Sequence, residues 1–334
     1  MKKPRSIFLL DTRAKSRIYS DDDCLRIHEL TQNDRKTYSE ELVLSSPSAF
    51  GDVEIIFSGW GAPVLSEDLL NAFPNLKAFF YGAGSVRKLA TPAFWQRDIL
   101  LTSAYQANAI PVAEYTVASA IFALKQAWRL NRNLANGQAV DETEKIKGVY
   151  FGSKVGVISL GAIGQLVCQK LQHMDLDVYA YDPYADASLF ESCCAKRVDH
   201  LETIFSECDV VTLHTPWLRE TENMITGSLL QLMPTGACFI NTSRGAIVRE
   251  SEMIEVLRKR ADIFAVIDVI RNESTYHLSE LATMPNVFLT PHIAGSNGYE
   301  CHRMGSLAVE ECRRFLSGKP PQCPITEAGV ALMA

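Results

Sequence analysis

Three polar clusters in the second half of the chain each follow an apolar stretch of strand length. Asn241-Thr242-Ser243-Arg244-Gly245 is the first. Its small residues let a backbone approach a ligand closely, and Arg244 supplies a planar fork that suits a carboxylate. In the second, Asp268 ends an apolar stretch and Glu273 lies in the loop beyond it. The third, Thr290-Pro291-His292-Ile293-Ala294-Gly295, places His292 among small residues. Alone, each reads as readily as structure, since an Arg after a strand is commonly a surface ion pair. As a set they describe one chemistry. Arg244 holds a substrate carboxylate, His292 moves a proton, and Glu273 orients His292.

A nucleotide motif stands in front of this set. Lys154 to Leu160 reads as a buried strand, Gly161 and Gly164 punctuate a turn, and Ile163, Leu166, Val167 and Leu171 recur at helical spacing. Leu176 to Tyr181 is a second strand, and it ends in Asp182. This strand, turn, helix, strand and acid is the order a dinucleotide requires. A residue without a Cβ admits the pyrophosphate, the helix N-terminus offers free N–H groups, and the acid accepts from the ribose hydroxyls. Ser159 occupies the first glycine position of the fingerprint, which predicts a slightly altered turn. Asp182 is followed by Pro183 and Tyr184, with no Arg or Lys beside it, so NADH is expected over NADPH.

The composition limits the alternatives. At 334 residues, 47% apolar and 22% charged, the chain has the make-up of a soluble globular protein with room for two domains. A net charge of −6 argues against a nucleic-acid or acidic-membrane partner. The apolar stretch near the N-terminus is too short for a signal peptide, and no run is expected to reach membrane-spanning length. The nine cysteines contain no C-x-x-C and read as reduced core thiols of a cytoplasmic protein. No cluster has metal-ligand spacing.

Strands alternating with helices position these groups and imply parallel α/β layers. Strands are expected over 6–11, 53–58, 76–81, 99–103, 209–215, 237–242, 264–270 and 287–289. Residues 12–50 are polar and mixed, with Asp21-Asp22-Asp23 as a solvated turn or helix start. Ser66 and Thr91 cap short helices. One long helix is expected from Pro111 to about Leu134, a polar loop from Gly137 to Glu144, and a last strong helix from Glu300 to Phe315.

The ordered segments Asn108 to Glu114, Val155 to Gly164, Leu213-His214-Thr215-Pro216, Asn241 to Gly245, Ala265 to Val269 and Leu289 to His292 resemble the D-isomer-specific 2-hydroxyacid dehydrogenases over nearly the whole chain. The resemblance implies two doubly wound parallel-sheet domains, Rossmann-like and flavodoxin-like, with a cleft between them. It implies a discontinuous substrate domain (1–107 plus 298–334) around an NAD-binding domain (108–297), and a homodimer. Arg244, Glu273 and His292 take the family's catalytic positions. Gly161, Ala162, Ile163, Asp182, Pro183, Thr215, Pro216, Thr242, Ser243, Asp268 and His292 match positions at the NAD site. Ala83, Gly84 and Ser85 match the substrate-carboxylate cradle, with Arg244.

The implied activity is NAD-dependent interconversion of a D-2-hydroxyacid and its 2-ketoacid, of the glycerate, phosphoglycerate, hydroxypyruvate or glyoxylate type. The alternative is an NAD(H)-sensing binding protein of the corepressor type on the same fold. Two further departures stand out. Ser274 replaces the proline that usually follows the catalytic Glu, which predicts a less rigid loop around Glu273. Ser85-Val86-Arg87-Lys88 replaces an Asp-rich segment. His214 sits in a matching motif but reads as structural, while His28, His173, His200, His277 and His302 read as surface or packing residues.

Overall fold

Apolar side chains alternate along the strands and feed two separate hydrophobic clusters, so each sheet is buried on both faces, as parallel sheets require. In β1 (Arg5–Leu9), Ile7 and Leu9 enter one cluster and Phe8 the other. In β3 (Val53–Ser58), Ile56 points to the first and Ile55 and Phe57 to the second. β4 (Ala78–Tyr81) repeats this with Phe79 and Tyr81 against Ala78 and Phe80. With β2 (Gln32–Tyr38) and β5 (Leu100–Ser103) these strands form a parallel sheet in the order β2-β1-β3-β4-β5.

The computed structural model describes residues 2–139, 151–331 and 333. The chain up to Asn108, together with Ser296–Met333, forms the unit that holds this first sheet. The C-terminal segment belongs there because Met304, Ala308, Val309 and Cys312 of the helix His302–Leu316 fill the cluster around Phe8, Phe57 and Phe80.

Ala109–Gly295 forms the second unit. Its strands are β6 (Ser153–Ile158), β7 (Leu176–Tyr181), β8 (Lys196–Arg197), β9 (Val210–Leu213), β10 (Cys238–Asn241), β11 (Phe264–Ile267) and β12 (Val287–Leu289). They lie in the order β12-β11-β10-β9-β6-β7-β8, all parallel. The order reverses between β6 and β9, and such a switch point is where open α/β sheets bind ligands beyond the carboxyl ends of their strands. Val211, Leu213, Phe239, Ala265 and Ile267 fill one face of this sheet, and Val155, Val157, Val210, Ile240 and Val266 the other.

Several expectations are corrected. The helix expected from Pro111 to Leu134 is two helices, Tyr105–Leu124 and Ala127–Ala135, broken where Gln126 takes a left-handed φ of 51°. The first of these is long and apolar enough to cross a membrane by length and composition, contrary to the reading that no run reaches that length. Pro111, Glu114 and Thr116 hide it from a scan for unbroken apolar runs. Of its apolar window 61% is buried inside the protein, where Ala113, Val117, Ala120 and Leu124 pack with Val155 and Val157.

β2 was not expected, because QNDRKTY is polar throughout. It is an edge strand, and its backbone pairing with β1 does the work that apolar side chains do elsewhere. Asp21–Leu30 is a helix with a capping box between Ser20 and Asp23, and Asp23 is buried rather than solvated. The polar stretch expected to loop from Gly137 to Glu144 is irregular as far as Ala139, and its remainder lies outside the described residues.

Candidate active site

The turn after β6 is built by two close backbone approaches. Ser159 adopts φ 77°, the left-handed conformation that glycine takes without strain. The turn therefore keeps a glycine-like course instead of the altered one expected from serine. A Cβ on Gly164 would stand 2.0 Å from the Ser159 carbonyl oxygen, so only glycine lets the helix Ala162–Leu171 pack onto the turn. Gly161 precedes this helix, and a Cβ there would meet nothing within 4 Å. The first-turn N–H groups, including those of Ala162 and Ile163, thus look past an open position.

Asp182 is fixed beside this turn. Its carboxylate accepts from the Leu160 N–H at 2.8 Å and the Tyr184 N–H at 2.9 Å, while Pro183 and Tyr184 are exposed. Across the switch point, at the end of β9, the Thr215 hydroxyl and His214 Nδ1 are buried without a hydrogen-bond partner among the described residues. The open glycine, the helix N-terminus, the anchored acid and the orphaned hydroxyl fit a dinucleotide laid across the ends of β6, β7 and β9. Pro216 follows Thr215 and is half-buried. His214 pairs with the Thr212 hydroxyl through Nε2, and burial pushes its pKa down to about 3, which suits a neutral packing residue.

Arg244 follows β10. Asn241, buried at the strand end, accepts from the Ser243 N–H at 3.0 Å and the Ser243 hydroxyl at 2.9 Å. Its amide donates to the Arg244 carbonyl at 3.3 Å. Thr242 is buried and shares a 3.2 Å hydrogen bond with Thr116. One guanidinium nitrogen of Arg244 donates to the Ser243 carbonyl at 2.6 Å. Its other donors find no acceptor among the described residues, which leaves the fork available to an anion. Burial lowers the pKa of Arg244, and the Glu273 carboxylate acts against that shift. A Cβ on Gly245 would lie 2.1 Å from the Ile270 carbonyl carbon, so the Arg244 and Glu273 loops meet backbone to backbone.

Glu273 and His292 are paired, with Oε2 2.9 Å from Nδ1 and both side chains 41% exposed. His292 holds φ 52°, an uncommon conformation for a residue with a Cβ. Asp268 enforces it. Its carboxylate accepts from the Thr290 hydroxyl at 2.6 Å and from the N–H groups of Ile293 and Ala294 at 2.8 and 2.9 Å. Asp268 is fully buried, so its contacts in this structure are with the chain itself.

Sequence reasoning passed over several residues that brace this loop. Tyr276 donates to the Asp268 carbonyl at 2.9 Å. Burial, then the charges of Glu273 and Asp268, push the Tyr276 pKa up and keep it a donor. Tyr115 bonds Thr290 at 2.9 Å. Tyr115 comes from distant sequence and carries no local signal, while Tyr276 lies eight positions from Asp268.

In the first unit, the loop after β4 is pinned by Ser103, whose hydroxyl donates to the carbonyl oxygens of Ala83 and Gly84. The N–H groups of Ala83, Gly84 and Ser85 find no acceptor among the described residues. Successive free N–H groups of this kind suit a carboxylate. Among the described residues no group of three or more His, Cys, Asp or Glu could hold a metal ion.

Residues 117–294 match the family model of the D-isomer specific 2-hydroxyacid dehydrogenase NAD binding domain. The D-3-phosphoglycerate dehydrogenase of Archaeoglobus fulgidus is 29% identical over 254 residues, covering 76% of this chain and 48% of that protein. The (S)-sulfolactate dehydrogenase of Chromohalobacter salexigens is 30% identical over 252 residues, covering 75% of this chain and 81% of that one. The chain thus spans about half the length of the first of these curated relatives. Among solved structures, the apo form of Rhodotorula graminis D-mandelate dehydrogenase superposes with a TM-score of 0.81 at 22% identity, over 97% of this chain and 98% of its own.

Proposed function

The chain belongs to the D-isomer specific 2-hydroxyacid dehydrogenase family and carries its NAD binding domain, and from that premise we propose that it interconverts a D-2-hydroxyacid and its 2-ketoacid. The observation that supports this reading best is the His292–Glu273 pair beside an uncommitted Arg244 fork. These groups stand on the same sheet as the Gly161 turn.

When bound, NAD supplies or takes up the hydride. In this reading the Gly161 turn, the helix N-terminus and the Thr215 hydroxyl hold the dinucleotide, and Asp182 takes the ribose hydroxyls. Arg244 binds the substrate carboxylate and polarises the carbonyl beside it. The Nδ1 of His292 is engaged by Glu273, so Nε2 is the atom that passes a proton to the forming alkoxide. Glu273 holds the ring in that orientation.

We place the substrate among small 2-hydroxyacids of the glycerate or phosphoglycerate type, which the likeness to the Archaeoglobus D-3-phosphoglycerate dehydrogenase supports. We also place the protein in the cytoplasm as a homodimer. The free cysteines of the described chain suit a reducing compartment.

The test is NADH oxidation with a panel of glyoxylate, hydroxypyruvate, phosphohydroxypyruvate and larger 2-ketoacids, run beside NADH binding. Turnover with at least one acid is expected. Tight NADH binding with no turnover on the whole panel would overturn the enzyme reading in favour of an NAD(H)-sensing binding protein.

A further inference from the structure

The Glu273 carboxylate meets His292, and its main-chain N–H finds no acceptor among the described residues. The residues on either side are anchored instead. Arg271 donates to the side chains of Glu222 at 2.7 Å and Asn223 at 2.9 Å, and its N–H donates to the Glu250 carboxylate at 2.8 Å. Next to Arg271, Asn272 is the N-cap of the short 3-10 turn Glu273–Leu278 and ties down the residues beyond Glu273. The Asn272 carboxamide oxygen accepts from the Ser274 hydroxyl at 2.7 Å and from the Ser274 N–H at 3.3 Å. The Asn272 carbonyl accepts from the Thr275 hydroxyl at 2.9 Å and the Thr275 N–H at 3.1 Å.

Position 274 is where the resemblance leads one to expect proline. A proline would fix its own φ and restrict the residue before it, so a Glu followed by proline is held by ring closure. Here a serine leaves both torsions free, and the hydroxyl it gains is spent on Asn272. We propose that Asn272 is a positioning residue: its carboxamide, clamped on Ser274, holds Glu273 against His292 and replaces by hydrogen bonds the constraint a proline would impose. The proposal rests on the dehydrogenase reading for its kinetic consequence, but not for its structural one.

Four proteins test it: native, Asn272→Ala, Ser274→Pro and the double variant Asn272→Ala/Ser274→Pro. Orientation of the proton donor matters in the transition state more than in substrate binding. Asn272→Ala should therefore lower kcat about tenfold while KM for the ketoacid stays within about twofold. NADH affinity should be unmoved. Ser274→Pro alone should keep native kcat, and in the Asn272→Ala background it should restore most of what was lost. A residue that merely stabilises the fold would show no such rescue and no split between kcat and KM.

The second readout is independent of turnover. With the ring neutral, the imidazole nitrogen-15 shifts of His292 report which nitrogen carries the proton, and a carboxylate on Nδ1 selects the Nδ1–H form. Asn272→Ala should shift His292 toward the Nε2–H form, as a Glu273→Ala control is expected to, and the double variant should shift it back. An unmoved tautomer, or an unmoved kcat in an active protein, overturns the proposal. Should the native protein reduce no 2-ketoacid, the dehydrogenase reading fails and the tautomer alone decides the role of Asn272.

Discussion

The N–H of His292 donates to the carbonyl oxygen of Asp268 at 2.9 Å, and the Asp268 carboxylate then takes the N–H groups of the next two residues. One buried acid thus closes the turn that holds His292 at φ 52°. Replacing Asp268 with Asn keeps the shape but turns an amide N–H₂ toward at least one of these donors. A buried donor left without an acceptor costs about 1–3 kcal/mol. Asp268→Asn should lose stability of that order in urea unfolding and lose activity more steeply, because the turn can relax away from its uncommon conformation. Unchanged kcat/KM would mean that His292 is held by other contacts.

Arg244 should not tolerate lysine. A planar fork that grips a carboxylate at two points and touches the adjacent carbonyl cannot be replaced by a point charge. Arg244→Lys should keep NADH binding, raise KM and lose most turnover. If kcat/KM stays within about threefold, under roughly 1 kcal/mol of transition-state binding, Arg244 is a structural residue and the substrate lies elsewhere.

Cofactor choice is expected to follow Asp182. Its carboxylate is pinned by Leu160 and Tyr184, so it cannot swing away from a 2′-phosphate. Strong preference for NADH is expected in steady-state kinetics, and Asp182→Ser should narrow it. Equal kcat/KM with NADH and NADPH in the native protein would refute the assignment.

Much of this was legible in the sequence because parallel strands are short apolar runs and the chemistry sits at their ends. Val53–Ser58 and Val287–Leu289 fall where the pattern puts them. β2 was illegible because an edge strand needs backbone partners more than apolar side chains. The break at Gln126 was illegible because no glycine or proline marks it, yet Gln126 takes a left-handed φ. Arg244, Glu273 and His292 were singled out from type and spacing, and Thr215, Thr242 and the 83–85 loop only from the resemblance. Their braces were not: Tyr115 reaches Thr290 across 175 positions, and Asn272 looks like any loop asparagine until Ser274 is seen donating to it.

Ser159 gives a stability test of the nucleotide turn. A left-handed residue with a Cβ costs roughly 1–2 kcal/mol, and glycine returns part of that gain through its freer unfolded chain. Ser159→Gly should therefore stabilise the protein by about 0.5–1 kcal/mol, read as a rise in the unfolding midpoint, with NADH affinity kept or improved. A loss of stability would show that the Ser159 hydroxyl, 3.5 Å from Asp182, contributes more than the backbone conformation costs.

The last prediction concerns acid. His214 is buried with its pKa lowered to about 3, whereas an unfolded histidine titrates near 6.5. Between those values the unfolded chain binds a proton that the folded chain refuses. Stability from this group is therefore complete above about pH 6.5 and is lost as pH falls toward 3, by about 1.4 kcal/mol per pH unit at its steepest. Replacing His214 with Gln removes the titration while leaving a polar side chain for Thr212. The measurement is unfolding free energy at pH 7.5 and pH 5.0 in both proteins, where the remaining histidines act alike and cancel. The native protein should lose about 2 kcal/mol more than His214→Gln on acidification. Equal losses would mean that His214 is reached by water or by a neighbouring acid, and the neutral packing role given to it here would fall.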